Sequence, residues 1–166
     1  PLRWAIIGFG RFGMAHAQVL QGLPGVELVG VSSRQAGPLA ERAATLGIER
    51  QETDYRQLLD DDQVDVVSIV THWKEHHQIA LAALAAGKHV LLEKPMAVDT
   101  DQCLELLAAA ENASGQFMVG HICRFDPRYS LAREAIRRGE IGQIVSMHAR
   151  RNLPVAPGHI RLDKIS

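Results

Sequence analysis

The sequence predicts an α/β fold built on a doubly wound parallel sheet, and three observations support that prediction. Apolar segments typical of strands alternate with helical patterns from the first residues onward. A glycine-rich turn follows the first apolar segment. The run 64–70 is almost entirely apolar and β-branched, which is typical of a strand covered on both faces. Strands separated by crossover helices form parallel sheets, and we expect the strand order 3-2-1-4-5-6.

The individual elements follow from hydrophobic periodicity and from glycine and proline breakers. We expect strands at 4–7, 26–31, 50–52, 64–70, 89–92 and 116–119. We expect helices after the glycine-rich turn to about residue 21, at 38–46, 55–59 and 74–86, and from 99 onward. Gly47 and Gly87 are expected to end two of these helices, because glycine readily takes the left-handed conformation there. Asp99 and Gln102 have the spacing of a capping box, which predicts a helix start.

Composition narrows the class of protein. The chain has 166 residues, is 46% hydrophobic and carries a formal net charge of −1, which is ordinary for a globular protein. The balanced charge gives no reason to expect binding to nucleic acid or to a membrane surface. We see no signal peptide or bilayer-length apolar run and expect a cytoplasmic protein. Two cysteines make no disulfide framework, and no Cys/His spacing resembles a metal site.

The stretch Glu93-Lys94-Pro95 places charge at a strand end. It follows the apolar strand 89–92, and proline stops the hydrogen-bonded ladder. Open α/β sheets bind their ligands at the carboxyl ends of the strands. A lysine there can donate a proton, a hydrogen bond or a positive charge. The alternative is a surface strand end with a structural ion pair.

The motif Gly8-x-Gly10-x-x-Gly13 follows a strand, opens a helix and begins a βαβ unit, as in Rossmann domains. Gly8 permits a tight turn, Gly10 lets a pyrophosphate approach the backbone, and Gly13 lets helix and strand pack closely. The helix N-terminus adds N–H donors and partial positive charge. We therefore expect cofactor contacts from the whole loop, including the intervening residues Phe9, Arg11 and Phe12. For Arg11 the alternative is a solvated surface arginine.

The end of the second strand bears on the choice between NAD and NADP. Ser33 lies where an NAD-preferring site would place an acidic residue for the ribose 2′-hydroxyl. The chain has Ser32, Ser33 and Arg34 at this point. Hydroxyls and a guanidinium suit a 2′-phosphate, so we expect NADP to be favoured, or both cofactors to bind. The alternative is that Ser32 caps a helix and Arg34 is solvated.

Taken together, these motifs resemble the Gfo/Idh/MocA oxidoreductase family. The segment 71–76 reads Thr-His-Trp-Lys-Glu-His where that family often has Thr-Pro-Asn-x-x-His. The run 85–95 is close to the family's most recognisable stretch, and 120–127 resembles its exit from the nucleotide domain. The resemblance implies an NAD(P)-dependent dehydrogenase that moves hydride between nicotinamide and a secondary alcohol of a sugar, inositol or related polyol.

The resemblance also implies roles for particular residues. Lys94 would be catalytic, near the nicotinamide and the reacting hydroxyl. Glu93 would contact the nicotinamide ribose or orient Lys94. Pro95 would hold the turn, with a preceding peptide bond that is often cis in the family. Thr71 would face the cofactor.

Four further residues are expected to contact the cofactor, and for some of them another role is also possible. His72 and Trp73 replace the family's usual Pro and Asn. Trp73 would stack near nicotinamide or ribose, or would anchor the loop. His76 would act as a hydrogen-bonding residue at a helix start. Arg124 would contact cofactor or substrate, or form a salt bridge between domains.

We expect two domains. Residues 1–121 would form the dinucleotide-binding domain, and 122–166 would begin an incomplete α+β domain for substrate binding and homo-oligomer contacts. That second part would hold a basic helix to Arg138 and a strand at 144–149, mobile or paired with another copy because its edge lacks a sheet. We expect these residues to bind cofactor without completing catalysis. The alternative is a non-catalytic NAD(P)-sensing regulator, against which the retained Lys94 argues.

Overall fold

The computed structural model describes residues 1–150, and a single parallel sheet organises residues 1–121 of them. The strands are β1 (Leu2–Ile7), β2 (Val26–Ser32), β3 (Gln51–Glu52), β4 (Val66–Ile69), β5 (His89–Leu92) and β6 (Phe117–Val119). All neighbouring strands run parallel. The order across the sheet is β3-β2-β1-β4-β5-β6, which confirms the predicted doubly wound topology.

The connections between the strands are helical, as crossovers in a parallel sheet require. The helices are α1 (Arg11–Gln21), α2 (Ala36–Thr45), α3 (Arg56–Leu59), α4 (His76–Ala85), α5 (Thr100–Asn112) and α6 (Pro127–Arg137). Short 3₁₀ turns cover Trp73–Glu75 and Ile122–Phe125. No helix in residues 1–150 has the length and apolar character needed to cross a bilayer.

Alternating side chains of β1 divide the core between the two faces of the sheet. Ile6 packs in a cluster with residues of α1 and α2, such as Ala17 and Leu39. Ala5 and Ile7 belong to a second cluster on the other face. Helices α3, α4 and α5 supply that second cluster with Leu58, Leu59, Ile79, Ala80, Ala83, Leu84 and Leu106. Because both faces are covered, the central strand β4 is fully buried and apolar except for Ser68, as is typical of a parallel sheet.

Several boundaries differ from the sequence expectation for identifiable reasons. Helix α2 begins at Ala36 and includes Pro38 in its first turn, where no backbone N–H is needed. The expected strand 64–70 is paired only over Val66–Ile69, since the ladders to β1 and β5 cover those four residues. The expected helix 74–86 opens with the 3₁₀ turn and becomes α-helical only at His76.

The chain divides into two compact units, 1–121 and a second one beginning at Ile122. In the second unit, Asp126 caps α6 by accepting a hydrogen bond from the Arg128 N–H at 2.9 Å. The predicted strand 144–149 is wrong: this segment has irregular backbone, and Val145 is 96% exposed. A strand needs a neighbour to pair with, and none of the described residues provides one. The expected breakers at 154–158 lie outside the described residues.

A buried lysine secures the turn before β4. Lys88 is only 7% exposed, and its Nζ donates to the carbonyl oxygens of Asp61 and Val64 at 2.7 and 2.9 Å. These bonds connect the start of β5 to the chain entering β4. Nearby, the backbone N–H and side chain of Arg3 donate to Asp65 and hold the pKa of that carboxyl well below its usual range. Polar contacts thus fix the amino-terminal edge of the sheet.

Lys88→Met should destabilise the fold by about 2–3 kcal/mol, because it leaves two carbonyl groups without their charged donor. Urea denaturation would measure the loss as a lower midpoint. Lys74→Met is the matched control, since Lys74 is exposed, and should change stability by less than about 0.5 kcal/mol. Equal midpoints for the two variants would contradict the assigned role of Lys88.

Candidate dinucleotide-binding site

The carboxyl ends of the central strands lie level with one another. Ser32 of β2 and Ile69 of β4 both pair with Ile7 of β1, and Leu92 of β5 pairs with Ile69. The loops that follow these strands therefore emerge along one edge of the sheet. The strand order reverses between β1 and β4, where a doubly wound sheet opens a crevice for its ligand.

Two glycines bring the β1–α1 turn into close contact with its surroundings. Gly8 has φ +99°, and a Cβ there would lie 2.6 Å from the backbone N of Thr71. A Cβ on Gly13 would lie 2.4 Å from the carbonyl oxygen of Gly8. Side chains at either position would force the turn, β4 and α1 apart, so the predicted structural roles of Gly8 and Gly13 agree with the geometry.

Gly10 differs from these two glycines, because a Cβ built on it would meet nothing within 4 Å. It is the N-cap of α1 and supplies no side chain to accept from the first-turn N–H groups. An eleven-residue helix with an open N-terminus is a suitable anion site. The space in front of Gly10 therefore fits a phosphate group that approaches the backbone.

A cavity of about 390 Å³ lies in front of this turn, entirely within the first unit. Its lining combines the glycine-rich turn with the end of β2, the chain after β3 and the chain after β4. The polar or glycine residues that line it are Gly8, Gly10, Ser32, Ser33, Arg34, Thr53, Arg56, Thr71, His72, Glu75 and Gln78. Phe9 also lines it, although its side chain is fully buried in the core.

Arg34 forms an ion pair that the sequence did not reveal. Its Nη1 lies 2.6 Å from Oε1 of Glu75, and the two side chains are 80% and 32% exposed. Both residues line the cavity. Exposed pairs of this kind contribute little stability, so a ligand anion can compete with Glu75 for the guanidinium. Glu75 is thus a charged residue of the site that lies at an unspecified position of the 71–76 segment.

His76 joins the two motif-bearing loops. Its ring is 1% exposed, with Nδ1 2.7 Å from the Pro95 carbonyl oxygen and Nε2 3.1 Å from that of Thr71. The Lys94–Pro95 peptide bond is cis, as the family resemblance suggested. A ring enclosed in this way positions the loops around it and presents no open nitrogen to a ligand. His76 therefore holds Thr71 and the Lys94–Pro95 turn together.

Glu93 and Lys94 differ sharply in environment. The Glu93 side chain is buried, and its Oε2 accepts the backbone N–H of Lys94 at 3.1 Å. His16 Nε2 lies 3.5 Å from Glu93 Oε1. The Lys94 side chain is exposed at the same edge of the sheet. A fixed carboxylate beside an accessible amine can orient a ligand and exchange a proton with it.

The remaining predicted contacts are not among the residues that line the cavity. Arg11 and Phe12 are exposed on the first turn of α1. The Trp73 and His72 ring centroids are 5.4 Å apart. Lys74 Nζ lies over the Trp73 ring, 5.4 Å from its centroid. Arg124 lies in the 3₁₀ turn of the second unit. Among residues 1–150, no cluster of His, Cys, Asp or Glu could hold a metal ion.

A parallel sheet of this order, with a glycine-rich turn facing a cavity at its switch point, defines a dinucleotide-binding Rossmann domain. The profile of the Gfo/Idh/MocA group, described as an oxidoreductase family with an NAD-binding Rossmann fold, matches residues 2–121. The chain belongs to this family, which confirms the resemblance found in its motifs.

Similar proteins of known sequence or structure include several dehydrogenases. The chain is 35% identical to 4-carboxy-2-hydroxymuconate-6-semialdehyde dehydrogenase from Sphingobium sp., covering 84% of this chain and 44% of the relative. It is 33% identical to scyllo-inositol 2-dehydrogenase (NAD(+)) from Bacillus subtilis, covering 86% and 42%. The structure of scyllo-inositol dehydrogenase from Lactobacillus casei with bound NAD(H) and scyllo-inositol superimposes with TM-score 0.80 at 30% identity, covering 86% and 43%. The chain thus spans less than half the length of these relatives.

Gly10→Ala should weaken binding of NADH by about tenfold or more, because the methyl group enters the space where the pyrophosphate approaches. The fold should keep its stability, since nothing lies within 4 Å of that methyl. Gly37→Ala is the matched control, because its added methyl also meets open space but lies on α2. Titration by NADH fluorescence and a thermal melt would measure both effects. Unchanged NADH affinity in Gly10→Ala would contradict the assignment of this space to phosphate.

Proposed function

We propose that the protein is an NAD(P)-dependent oxidoreductase and that residues 1–121 are its cofactor-binding half. One observation carries the proposal: the open helix N-terminus at Gly10 and the Glu93–Lys94 pair lie along the same edge of one sheet. An anion-binding turn and a proton-exchanging amine at one edge suit a reaction that combines a dinucleotide with an alcohol.

The residues fit a dinucleotide laid across the switch point. The pyrophosphate would take N–H donors from the first turn of α1, beside Gly10. The adenosine ribose would lie at the end of β2, against Ser33 and Arg34, which line the cavity. The nicotinamide half would then extend past Thr71 towards Glu93, at the ends of β4 and β5. Trp73 and Arg124 are proposed as additional contacts at this half.

The protein's own contribution is positioning and proton transfer. A bound nicotinamide would supply the hydride acceptor for oxidation and the hydride donor for reduction. Lys94 Nζ takes the proton of the substrate hydroxyl during oxidation and returns it during reduction. Glu93 stays fixed by the Lys94 backbone N–H, which keeps its carboxylate at the edge where the ribose and the amine meet. His76 keeps the Lys94–Pro95 turn next to Thr71.

We propose a secondary alcohol of a sugar, inositol or related polyol as the substrate. This proposal is supported by the similar proteins described above, two of which are named scyllo-inositol dehydrogenases. The second unit would begin the substrate and homo-oligomer domain. Its described part leaves Phe125, Leu131 and Met147 more than two-thirds exposed, and such apolar side chains call for further chain or another copy. The 166 residues by themselves would bind cofactor without turnover.

We further propose that NADP is preferred over NAD. The end of β2 carries Ser32, Ser33 and Arg34 and no carboxylate, so a 2′-phosphate meets hydroxyls and a guanidinium there. Glu75 opposes this preference, since its carboxylate holds Arg34 and would repel the phosphate. The balance between Arg34 and Glu75 would set the degree of preference.

Arg34→Ala should weaken NADP⁺ binding roughly tenfold and leave NAD⁺ binding nearly unchanged, because only the 2′-phosphate uses the guanidinium. Glu75→Gln should act in the opposite direction and tighten NADP⁺ binding by several-fold, since it releases Arg34 and removes a repulsion. Calorimetric Kd values for both cofactors would measure the two ratios. A clear preference of the unaltered chain for NAD⁺ would reject the NADP proposal.

Lys94→Ala should lower turnover by about 10²–10⁴-fold, because the substrate hydroxyl loses its proton acceptor. Cofactor Kd should change by less than about threefold, since the pyrophosphate and adenosine contacts remain. The measurement needs the protein extended to the length of its relatives, assayed with scyllo-inositol and other polyols against both cofactors.

The same assay distinguishes the possible outcomes. If Lys94→Ala loses turnover and cofactor affinity in equal measure, Lys94 is a binding residue and the catalytic proposal fails. If the extended, unaltered protein binds cofactor tightly yet oxidises none of the polyols, a cofactor-sensing regulator becomes the better description.

A further inference from the structure

Four polar side chains, Trp4, Ser68, His16 and Glu93, form a line across the first unit. The line reaches the edge of the sheet at which the strands have their carboxyl ends. Trp4 on β1 donates its indole Nε1–H to Ser68 Oγ on β4 at 2.9 Å. His16 Nδ1 on α1 lies 3.4 Å from the same Ser68 Oγ. His16 Nε2 lies 3.5 Å from Glu93 Oε1, after β5. The line thus runs from the core of the sheet to the Glu93 carboxylate.

The chemistry of its two ends determines where the His16 proton lies. The Trp4 indole can only donate, so Ser68 Oγ accepts from it and can direct its own O–H at His16 Nδ1. The Glu93 carboxylate can only accept when ionised, so it needs a proton on Nε2. The tautomer with a proton on Nδ1 alone would place a nitrogen lone pair against the carboxylate. The tautomer with its proton on Nε2 is therefore the one that suits both neighbours of the ring.

Glu93 needs such a donor because its carboxylate is buried. The residue is 7% exposed, and a Cβ added to Gly120 would come within 2.8 Å of Oε1, so Gly120 lies close against this oxygen. Its other oxygen accepts the Lys94 N–H. A buried carboxylate without enough donors is costly. His16 brings a ring nitrogen on α1 to 3.5 Å from this carboxylate, and the His16 ring is itself held edge-on by Phe12 at 5.1 Å between centroids.

We propose that His16 is a positioning residue that fixes the Glu93 carboxylate for the nicotinamide half of the cofactor, with Trp4 and Ser68 selecting its tautomer. The inference rests on the proposed function. His16 lies three residues after the last glycine of the phosphate turn, on α1. The helix that binds the pyrophosphate at its N-terminus therefore also sets the group that meets the other end of the dinucleotide.

Two variants of His16 and two ligands test the proposal on the 166-residue chain. His16→Leu removes the donor, whereas His16→Gln keeps an amide N–H near the position of Nε2. NADH and ADP-ribose share the adenosine and pyrophosphate, but only NADH has the nicotinamide riboside that Glu93 would meet. We expect His16→Leu to weaken NADH binding by about tenfold and ADP-ribose binding by less than twofold. His16→Gln should restore NADH affinity to within about threefold.

His77→Leu is the matched control, because His77 also contacts a carboxylate, Glu105 at 2.8 Å, but on α4 and α5 outside the cavity lining. It should leave both affinities unchanged. Equal losses of NADH and ADP-ribose in His16→Leu would show a merely structural role and overturn the proposal. No loss of NADH affinity, or no recovery with Gln, would overturn it as well.

The ¹⁵N resonances of the His16 ring provide a readout that needs no ligand. We expect a protonated Nε2 in the unaltered chain and a larger share of Nδ1–H in Ser68→Ala, where the hydroxyl no longer faces Nδ1. A predominant Nδ1–H tautomer in the unaltered chain would refute the proposed line of donors. If neither NADH nor ADP-ribose binds at all, the proposed function fails, and the ring tautomer still decides whether His16 holds Glu93.

Discussion

The close approach of the β1–α1 turn to the end of β4 is the constraint on which the site depends. Gly8 lies against Thr71 with no room for a Cβ, and the Gly8 and Phe9 N–H groups both donate to the Ser32 carbonyl oxygen at 2.9 Å. This single turn thereby draws the ends of β1, β2 and β4 together. Only then does the N-terminus of α1 open onto a cavity bordered by Gly10 and Arg34.

Two histidines connect the loop that follows β5 to the rest of the site. His76 holds the Thr71 loop against Pro95, and His16 faces Glu93 from α1. Neither ring is among the cavity-lining residues. The accessible amine of Lys94 thus stands on a turn that is fixed from both sides. Buried polar groups tied to backbone and carboxylate partners can keep such a turn in one geometry without contacting the ligand themselves.

Local patterns in the sequence were sufficient for the fold and for the phosphate turn. Strand order followed from alternating elements, and Gly8 and Gly13 followed from their spacing. The ion pair of Arg34 with Glu75 and the line from Trp4 to Glu93 were not predictable, because each joins residues far apart in the chain with no shared motif. The prediction of a strand at 144–149 was wrong, although its local pattern was typical of a strand. A strand also needs a partner, and the described residues contain none for this segment.

A crystal structure of the chain with NADP⁺ would test the central claim most directly, because it locates the pyrophosphate. The account predicts the pyrophosphate at the first turn of α1, in the space before Gly10, with the adenosine ribose at Ser33 and Arg34 and the nicotinamide towards Glu93 and Lys94. A dinucleotide bound elsewhere on the unit, or bound here in the reverse direction, would contradict it.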